Sequence, residues 1–425
     1  MTILLVAGLI LLLALNIPVA YAMLGVSLVY LTFKADLPII VAAQQVAAGT
    51  DKFLLLAIPF FFLAAEFMNS GGIMRRLVEL ARAMVGHLRG GLGQMNIVAS
   101  GLFAGISGSA IADAAGMGRM EIEIMRRGGY PHAFSAVVTA TSATIGPIIP
   151  PSIPLVVYGS IASVSVGKLF LAGFVPGLLM IILLMIAVHV MAVRHDFPRE
   201  SWIGWRSLGS RMFRSIPVLM LPFIILGGIF SGVFTPTESA IVAAAYALVI
   251  SRIMGELPWS AVPRILAKVA RDTSRVMLIV AAASLYSWIM AREGVPGMIA
   301  AFFLAVGTEP WSFLLMVNVL MLVLGCLMEP LPLMVIVVPT LLPVVNALGI
   351  DLVHFGLVVT LNLMIGLVTP PVGLVMFVVM HITGLSLEAF TKALWPFLLA
   401  LVCALLIITY VPELALFLPR IFFPA

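Results

Sequence analysis

The chain has 425 residues, 63% of them hydrophobic and only 10% charged, where a soluble domain carries roughly a quarter charged residues. That balance excludes a soluble enzyme and a nucleic-acid-binding module: the net charge of +5 sits in short loops between apolar runs, the pattern of a polytopic protein in a lipid bilayer. The two cysteines, Cys326 and Cys403, lie in separate apolar runs, which excludes a disulfide framework and a thiolate metal site.

In chain order, residues 2–33 form an apolar run interrupted at Asn16-Ile17-Pro18 and read as one long, kinked span. With no charged segment before it and no small-residue cleavage site after it, the run reads as a retained span and not a leader. Residues 37–48 are too short to cross and are expected at the interface; a second span is expected over 53–68. An amphipathic basic segment follows, with Arg75, Arg76, Arg82 and Arg89, closed by Gly90-Gly91. Two short apolar arms, 92–106 and 110–125, are separated by Ser107-Gly108-Ser109 and flanked at both ends by basic residues. Each arm is too short for a crossing, so the pair predicts a re-entrant helical hairpin with the Ser-Gly-Ser at its tip. A broken span over 131–165 and a span over 166–193 come next, then a basic loop over 194–214. Spans over 216–232 and 235–251 are joined by a turn at Thr235-Pro236. A second amphipathic basic helix is expected over 258–275, a span over 276–291 and an interfacial piece over 295–306. A second hairpin, broken at Met328-Glu329-Pro330, runs from Trp311 to Leu348; a second broken span covers 352–382 and a last span 393–411.

The two broken spans carry the only Pro-Pro pairs in the chain, in IGPIIPP (Ile145 to Pro151) and IGLVTPP (Ile365 to Pro371). A Gly and a Pro pair inside an apolar run interrupt a helix and release backbone carbonyls, which survives at membrane depth only when buried in protein or lining a cavity. The pairs are 220 residues apart, and the same offset carries Gly105 onto Gly325 and Gly129 onto Gly349. Eighteen Lys and Arg fall on one face of the expected topology and five (Lys34, Lys52, Lys168, Arg292, Arg420) on the other, which makes the first face cytoplasmic. Nine crossings then put the N-terminus inside and the C-terminus outside, and the two repeats have opposite orientation. The expected architecture is all-α, with two inverted-topology repeats, each a re-entrant hairpin followed by a broken helix. The repeats occupy 92–165 and 311–382, and scaffold spans and arm helices occupy 1–91, 166–310 and 383–425. This is the pattern of a secondary transporter with its site at the repeat interface.

The chemistry is expected at the hairpin tips and helix breaks. Ser107, Gly108 and Ser109 supply two hydroxyls and unwound carbonyls, and the second tip spans Gly325 to Pro332, including Met328 and Glu329. Thr144, Gly146 and the carbonyls before Pro150 belong to the first break; Gly366, Thr369 and Pro370 belong to the second. Such oxygens suit a hard cation such as Na⁺ without a charged cage, and helix N-termini aimed at the same cavity favour a carboxylate. Ionisable residues inside a membrane are candidates by default, here Asp113 one turn beyond the first tip and Glu329 at the second. Asn362, one turn before the second break, is a candidate substrate or sodium contact. Substrate contacts are accordingly expected from Ser109, Asp113, Pro150, Asn362 and Pro370. Glu66, Glu121, Glu123 and Glu238 read as partners of the many Arg near span ends, and His132, His354 and His381 as interfacial. No Lys or Arg falls at membrane depth close to either tip in the sequence. A phosphate-binding G-x-x-x-x-G-K-[ST] loop, an H-E-x-x-H pair, a TVGYG filter and a nucleophile–base set are all missing, so ATP drive within this chain and enzymatic activity are not expected.

The stretches SGLFAGISGSAIADAA (Ser100 to Ala115), TSATIGPIIPPSIPLVVYG (Thr141 to Gly159), GVFTPTESA (Gly232 to Ala240) and LNLMIGLVTPPVGLVMFV (Leu361 to Val378) resemble the large membrane subunit of tripartite ATP-independent periplasmic (TRAP) transporters. The resemblance covers essentially the whole chain. It implies an elevator-type fold in the bacterial inner membrane and sodium symport, with sodium sites at Ser107, Ser109, Thr144 and Gly146 and at Gly325, Gly366 and Thr369. It implies an organic-acid substrate, such as a C4-dicarboxylate or sialic acid, lying between the tips. It also implies two partners: a four-span small membrane subunit, here on a separate chain, and a periplasmic substrate-binding protein. No organic cofactor is implied. The rival expectations are a stand-alone sodium–dicarboxylate symporter, which would transport without partners, and a channel-like subunit, whose flux would not saturate.

Overall fold

The computed structural model describes residues 2–15, 17–33, 38–69, 72–306 and 309–423. Asn16 at the expected kink, the outer-face charge Lys34 and Leu37 lie outside the described residues. Every regular element described is helical.

The chain opens with α1 (Thr2–Ala14) and α2 (Val19–Phe33). They are not one kinked span: a Cβ at Gly8 would stand 3.5 Å from Val26, and one at Gly25 would stand 3.9 Å from Leu12. The two helices therefore run antiparallel, glycines in their seam, and return the chain to the side on which it began. Next, α3 (Ile40–Thr50) leads through a 3₁₀ turn at Phe53–Leu56 into α4 (Ala57–Asn69), the two bent by 58°. Gly49 seats α3 against Ser284 and Val280 of a later helix, so α3 packs into the bundle as one bent pair with α4 and is not a separate interfacial piece. The amphipathic α5 (Ile73–Val85) follows, burying Leu77, Leu80 and Ala81 while Arg75 faces Glu79 in solvent.

The first hairpin is α6 (Gly91–Ser107) and α7 (Ala110–Arg127), and the first broken helix is α8 (His132–Ala143) and α9 (Ile153–Ala162). Long spans α10 (Val166–Arg194), α11 (Trp205–Phe230) and α12 (Pro236–Ile253) come next. The loop expected to reach 214 ends at 204, because Arg206, Arg211 and Arg214 already belong to α11. Thr235 and Glu238 form a capping box that starts α12; among the described residues Glu238 is thus a cap and not an ion-pair partner. Small residues Ala240, Ala243, Ala244, Ala247 and Ser251 bury one stripe of α12, which packs along α4, and the Ser251 hydroxyl donates to Phe67 O at 3.0 Å. The expected amphipathic helix and the span after it are one continuous helix, α13 (Val262–Arg292), because nothing between Arg275 and Val276 breaks it. Then come α14 (Val295–Val306), the second hairpin α15 (Pro310–Gly325) and α16 (Pro330–Ala347), the second broken helix α17 (Leu352–Gly366) and α18 (Leu374–Thr383), the span α19 (Leu387–Tyr410) and a helix not foreseen, α20 (Pro412–Phe422), packed against α10.

The offset of 220 residues carries the bounds of α7 onto those of α16. The packing follows the same exchange. In the first half α9 meets α16 and α8 meets α19; in the second, the corresponding α18 meets α7 and α17 meets α10. Both Pro-Pro bonds, 150–151 and 370–371, are cis.

Candidate functional site

A cavity of about 460 Å³ lies where the two hairpin tips meet α4 and the long helix α13. The first tip contributes Ser107, Gly108 and Ser109, the second Glu329 and Pro330, and the breaks contribute Pro147 and Leu367. Opposite stand Phe62 and Glu66 of α4 and Lys268, Asp272 and Arg275 of α13. The N-termini of three helices, α7 at Ala110, α9 at Ile153 and α16 at Pro330, open onto this space. Each points the positive end of its dipole there, although Pro154, Pro330 and Pro332 have no N–H and Ser109 and Ser152 already cap Ala112 N and Leu155 N. Sequence distance hid the charged wall: Lys268 and Arg275 lie far along the chain from both tips, and packing of α13 brings them there.

The first tip is built locally. Gly108 adopts φ +60°, a left-handed turn that ends α6, and a Cβ there would stand 2.6 Å from Pro151 O. Ser109 caps α7, its Oγ accepting from Ala112 N at 3.4 Å. The Ser107 hydroxyl donates to Asp113 Oδ1. Asp113 is 2% exposed, and its Oδ2 has no hydrogen-bond partner among the described residues. That oxygen lies against Gly146, where any Cβ would collide with it. Gly146 is buried beside it, while Thr144, buried in the same break, donates its hydroxyl back to Thr141 O at 2.6 Å; Ser107, Asp113 and the unwound first break form one oxygen-rich pocket behind the cavity wall. A buried carboxylate with an unsatisfied oxygen is costly unless a positive charge completes it. Asp113 is thus placed behind the tip and not among the residues facing the cavity.

The second tip closes on the second break through backbone. Gly325 of α15 crosses α17 at Gly366 so closely that a Cβ on Gly366 would stand 2.5 Å from Gly325 C and 2.6 Å from its O. Gly373 N donates to Cys326 O at 3.1 Å, and the Thr369 hydroxyl donates to Ile365 O at 2.7 Å. The carbonyls of Leu367 and Thr369 converge on Gly373, each 2.9 Å from where its Cβ would be. No carboxylate occupies the position equivalent to Asp113, which is Leu333. Of the expected residues here, Gly325, Met328, Gly366, Thr369 and Pro370 do not line the cavity, whereas Glu329 and Pro330 do. Pro150 likewise stays behind it, its carbonyl 3.7 Å from a Cβ on Gly105.

Asn362 is not at the cavity. It is fully buried on α17, and its Nδ2 donates to Asn318 Oδ1 at 2.8 Å and to Val358 O at 2.8 Å. Asn318 Nδ2 donates in turn to Thr409 Oγ1 at 3.0 Å, tying α15, α17 and α19 together. The first half has its own version: Ser142 Oγ donates to Asn96 Oδ1 at 2.7 Å, and Asn96 Nδ2 donates to Thr139 Oγ1 at 2.7 Å. These chains hold each hairpin's first arm to its broken helix. Asn318→Ala should leave Asn362 short of a partner and cost about 1–3 kcal/mol. A melting curve of the detergent-solubilised protein reads this as a lower Tm, with the sodium dependence of uptake by the folded fraction unchanged.

Of the other acidic residues, Glu66 is 2.5 Å from Lys268 Nζ and Glu123 is 2.7 Å from Arg127 Nε, as ion pairs. Glu121 differs: it is 1% exposed, and its Oε1 has no hydrogen-bond partner among the described residues. His354 is not interfacial; it is buried, with Nε2 2.8 Å from Ile408 O.

Comparison with known proteins agrees with this architecture. Residues 6–414 match the model of the family described as "Tripartite ATP-independent periplasmic transporter, DctM component". The chain is 41% identical over 408 residues to the sialic acid TRAP transporter large permease protein SiaM of Vibrio cholerae, covering 96% of each. It is 42% identical over 372 residues to the C4-dicarboxylate TRAP transporter large permease protein DctM of Pseudomonas aeruginosa, covering 87% of each. It is 36% identical to the 2,3-diketo-L-gulonate TRAP transporter large permease protein YiaN of Escherichia coli, covering 94% of this chain and 95% of the relative. Among solved structures, the YdaH transporter of Alcanivorax borkumensis, reported to have an unusual topology, shares the fold with a TM-score of 0.65 over 87% of this chain and 86% of that one, at 14% identity. A chain with two hairpin tips on one cavity, matched nearly end to end, belongs to the DctM family of TRAP transporter large permeases, multi-pass membrane transport proteins and not enzymes.

Proposed function

We propose that this permease imports an organic carboxylate by sodium symport across the bacterial inner membrane, moving its tips and broken helices as one body against the remaining spans. The observation that carries the anion reading is the convergence of three helix N-termini on a single cavity shared by both tips. The observation behind sodium is the buried Asp113 carboxylate with one oxygen unpaired beside the unwound first break. One sodium ion would be held by Ser107, Asp113 and the carbonyls around Thr144 and Gly146, neutralising that carboxylate. A second would rest on carbonyls and hydroxyl near Gly325, Gly366 and Thr369, with no carboxylate. The reciprocal contacts between halves support an inverted repeat. Segments 92–165 and 311–382 would form the moving body, and 1–91, 166–310 and 383–425 the scaffold.

Uptake would require a four-span small subunit and a periplasmic binding protein that delivers the acid. The test is uptake of radiolabelled succinate, N-acetylneuraminate and 2,3-diketo-L-gulonate into proteoliposomes of the full complex, with and without a sodium gradient and the binding protein. Uptake that needs both is expected. Uptake with sodium alone would make the chain a conventional symporter, and flux that neither saturates nor needs sodium would make it a channel.

With α1 and α2 antiparallel, the N-terminus would lie on the side of Phe33 and not, as nine crossings imply, on the cytoplasmic side; by the count of charges that side would be periplasmic, with the C-terminus also outside. In a background lacking Cys326 and Cys403, single cysteines at positions 2 and 349 should therefore label from outside and one at 126 only from the cytoplasm. Labelling of 126 and 349 from one face would sink the inverted topology.

A further inference from the structure

We propose that Arg275 is the group that recognises the substrate's carboxylate, so that anion selectivity is set by α13 as well as by the hairpin tips. This rests on the carboxylate-import reading. Because α13 is continuous, Lys268, Asp272 and Arg275 recur at helical spacing on one face, and that face forms the wall opposite the tips. The two cations on it are not equivalent. Lys268 has its Nζ 2.5 Å from Glu66 Oε1, so its charge is already matched. The Arg275 side chain is 78% exposed, and its ion-pair partner among the described residues is Asp272, with Nη1 3.6 Å from Oδ1, outside hydrogen-bond reach. Its planar fork of N–H donors is therefore available to the cavity.

Facing it across the same space are Ser109 and the N-termini of α7 and α16. Hydroxyls and helix ends are neutral donors that accept many polar groups. A guanidinium pairs with a carboxylate through two parallel hydrogen bonds and so selects for planar, charged oxygens. Glu329 and Asp272 share the cavity and compete for Arg275. A carboxylate substrate has to outcompete only the charge of Asp272, which lies beyond hydrogen-bond reach. An acid bound in this way spans the two bodies, its carboxylate on α13 and its polar remainder on the tips.

The test uses the full complex in proteoliposomes and whichever of succinate, N-acetylneuraminate and 2,3-diketo-L-gulonate the unmodified complex takes up fastest. Arg275→Gln is expected to raise the KM for uptake about tenfold or more, as loss of a charge-assisted pair requires, with the sodium concentration for half-maximal uptake unchanged. Arg275→Lys should recover part of the loss, because it restores the charge without the fork. Asp272→Asn should move KM the other way, lowering it, because it removes the competitor. A merely structural Arg275–Asp272 pair would make both removals harmful alike. An Arg275→Gln complex with unchanged KM, or an Asp272→Asn complex with raised KM, overturns the assignment while the import reading stands. If the unmodified complex takes up none of the three acids, the import reading falls and the Arg275 assignment with it.

Discussion

Asp113→Asn should abolish sodium-driven uptake while leaving the protein folded, with a melting temperature in sodium-free buffer equal to or above that of the unmodified chain. The reasoning starts from an imbalance. Asp113 is 2% exposed, receives one hydroxyl from Ser107 on Oδ1 and has no hydrogen-bond partner for Oδ2 among the described residues. An ionised carboxylate held like that destabilises the fold by itself, since water has been removed and only part of its hydration replaced. The amide is nearly the same shape and uncharged, so its burial costs less. What the amide cannot do is balance a cation. Losing one charged oxygen contact is worth about 1.5–3 kcal/mol, roughly 10- to 100-fold in sodium affinity. Two readings separate the roles. In the unmodified protein, sodium should raise the melting temperature relative to potassium, because a ligand that binds only the folded state stabilises it. In the Asn variant that shift should vanish. A variant that keeps the full sodium-dependent shift would remove Asp113 from the ion site and leave its buried charge to be explained by Ser107 alone.

Much of this arrangement is legible in the sequence, for identifiable reasons. The breaks at Ile145–Pro151 and Ile365–Pro371 announce themselves because proline has no N–H to give and few apolar runs tolerate a Gly and a Pro pair. The first tip is readable because a glycine that can turn left-handed is followed by a serine that can cap. Other features depend on partners that are distant in the chain. Asn362 reads as a ligand contact because it is polar in an apolar helix, but its partner is Asn318 on a neighbouring helix. The α1–α2 hairpin reads as a kink because both arms are uniformly apolar and the turn carries no charge to mark a surface. The junction in α13 reads as a boundary because composition changes at Arg275, yet a change from amphipathic to apolar alters what surrounds a helix and not whether it continues. The charged cavity wall follows from that continuity, so it too was out of reach of a local reading.

Gly366→Ala should impair transport severely. The reason is what the methyl meets. At most buried glycines the obstructing atom is the end of a side chain, which can rotate: at Gly177 it is Ile149, and at Gly101 it is Ile181. At Gly366 the three nearest atoms are all backbone of Gly325, at 2.5, 2.6 and 2.8 Å, and backbone of one helix cannot yield without moving that helix. Relieving the clash pushes the end of α15 off α17 and strains the bond from Gly373 N to Cys326 O that fastens the tip to the break. Overpacking of this kind costs about 1–3 kcal/mol in stability. The larger loss should be in transport, because the second tip and the second break would no longer present their carbonyls to a common point. Gly146→Ala is the matched test in the first half, since the offset of 220 residues relates the two glycines. There the methyl meets Asp113 Oδ2 instead of backbone, so the carboxylate can swing aside: the fold should be nearly unaffected and the sodium titration should shift. Gly209→Ala, in α11 with nothing within 4 Å of its Cβ, is the control and should be neutral or slightly stabilising. Melting curves and sodium titrations of the three variants distinguish the cases. If Gly366→Ala transports like Gly209→Ala, the close crossing of α15 and α17 is not what holds the second site together.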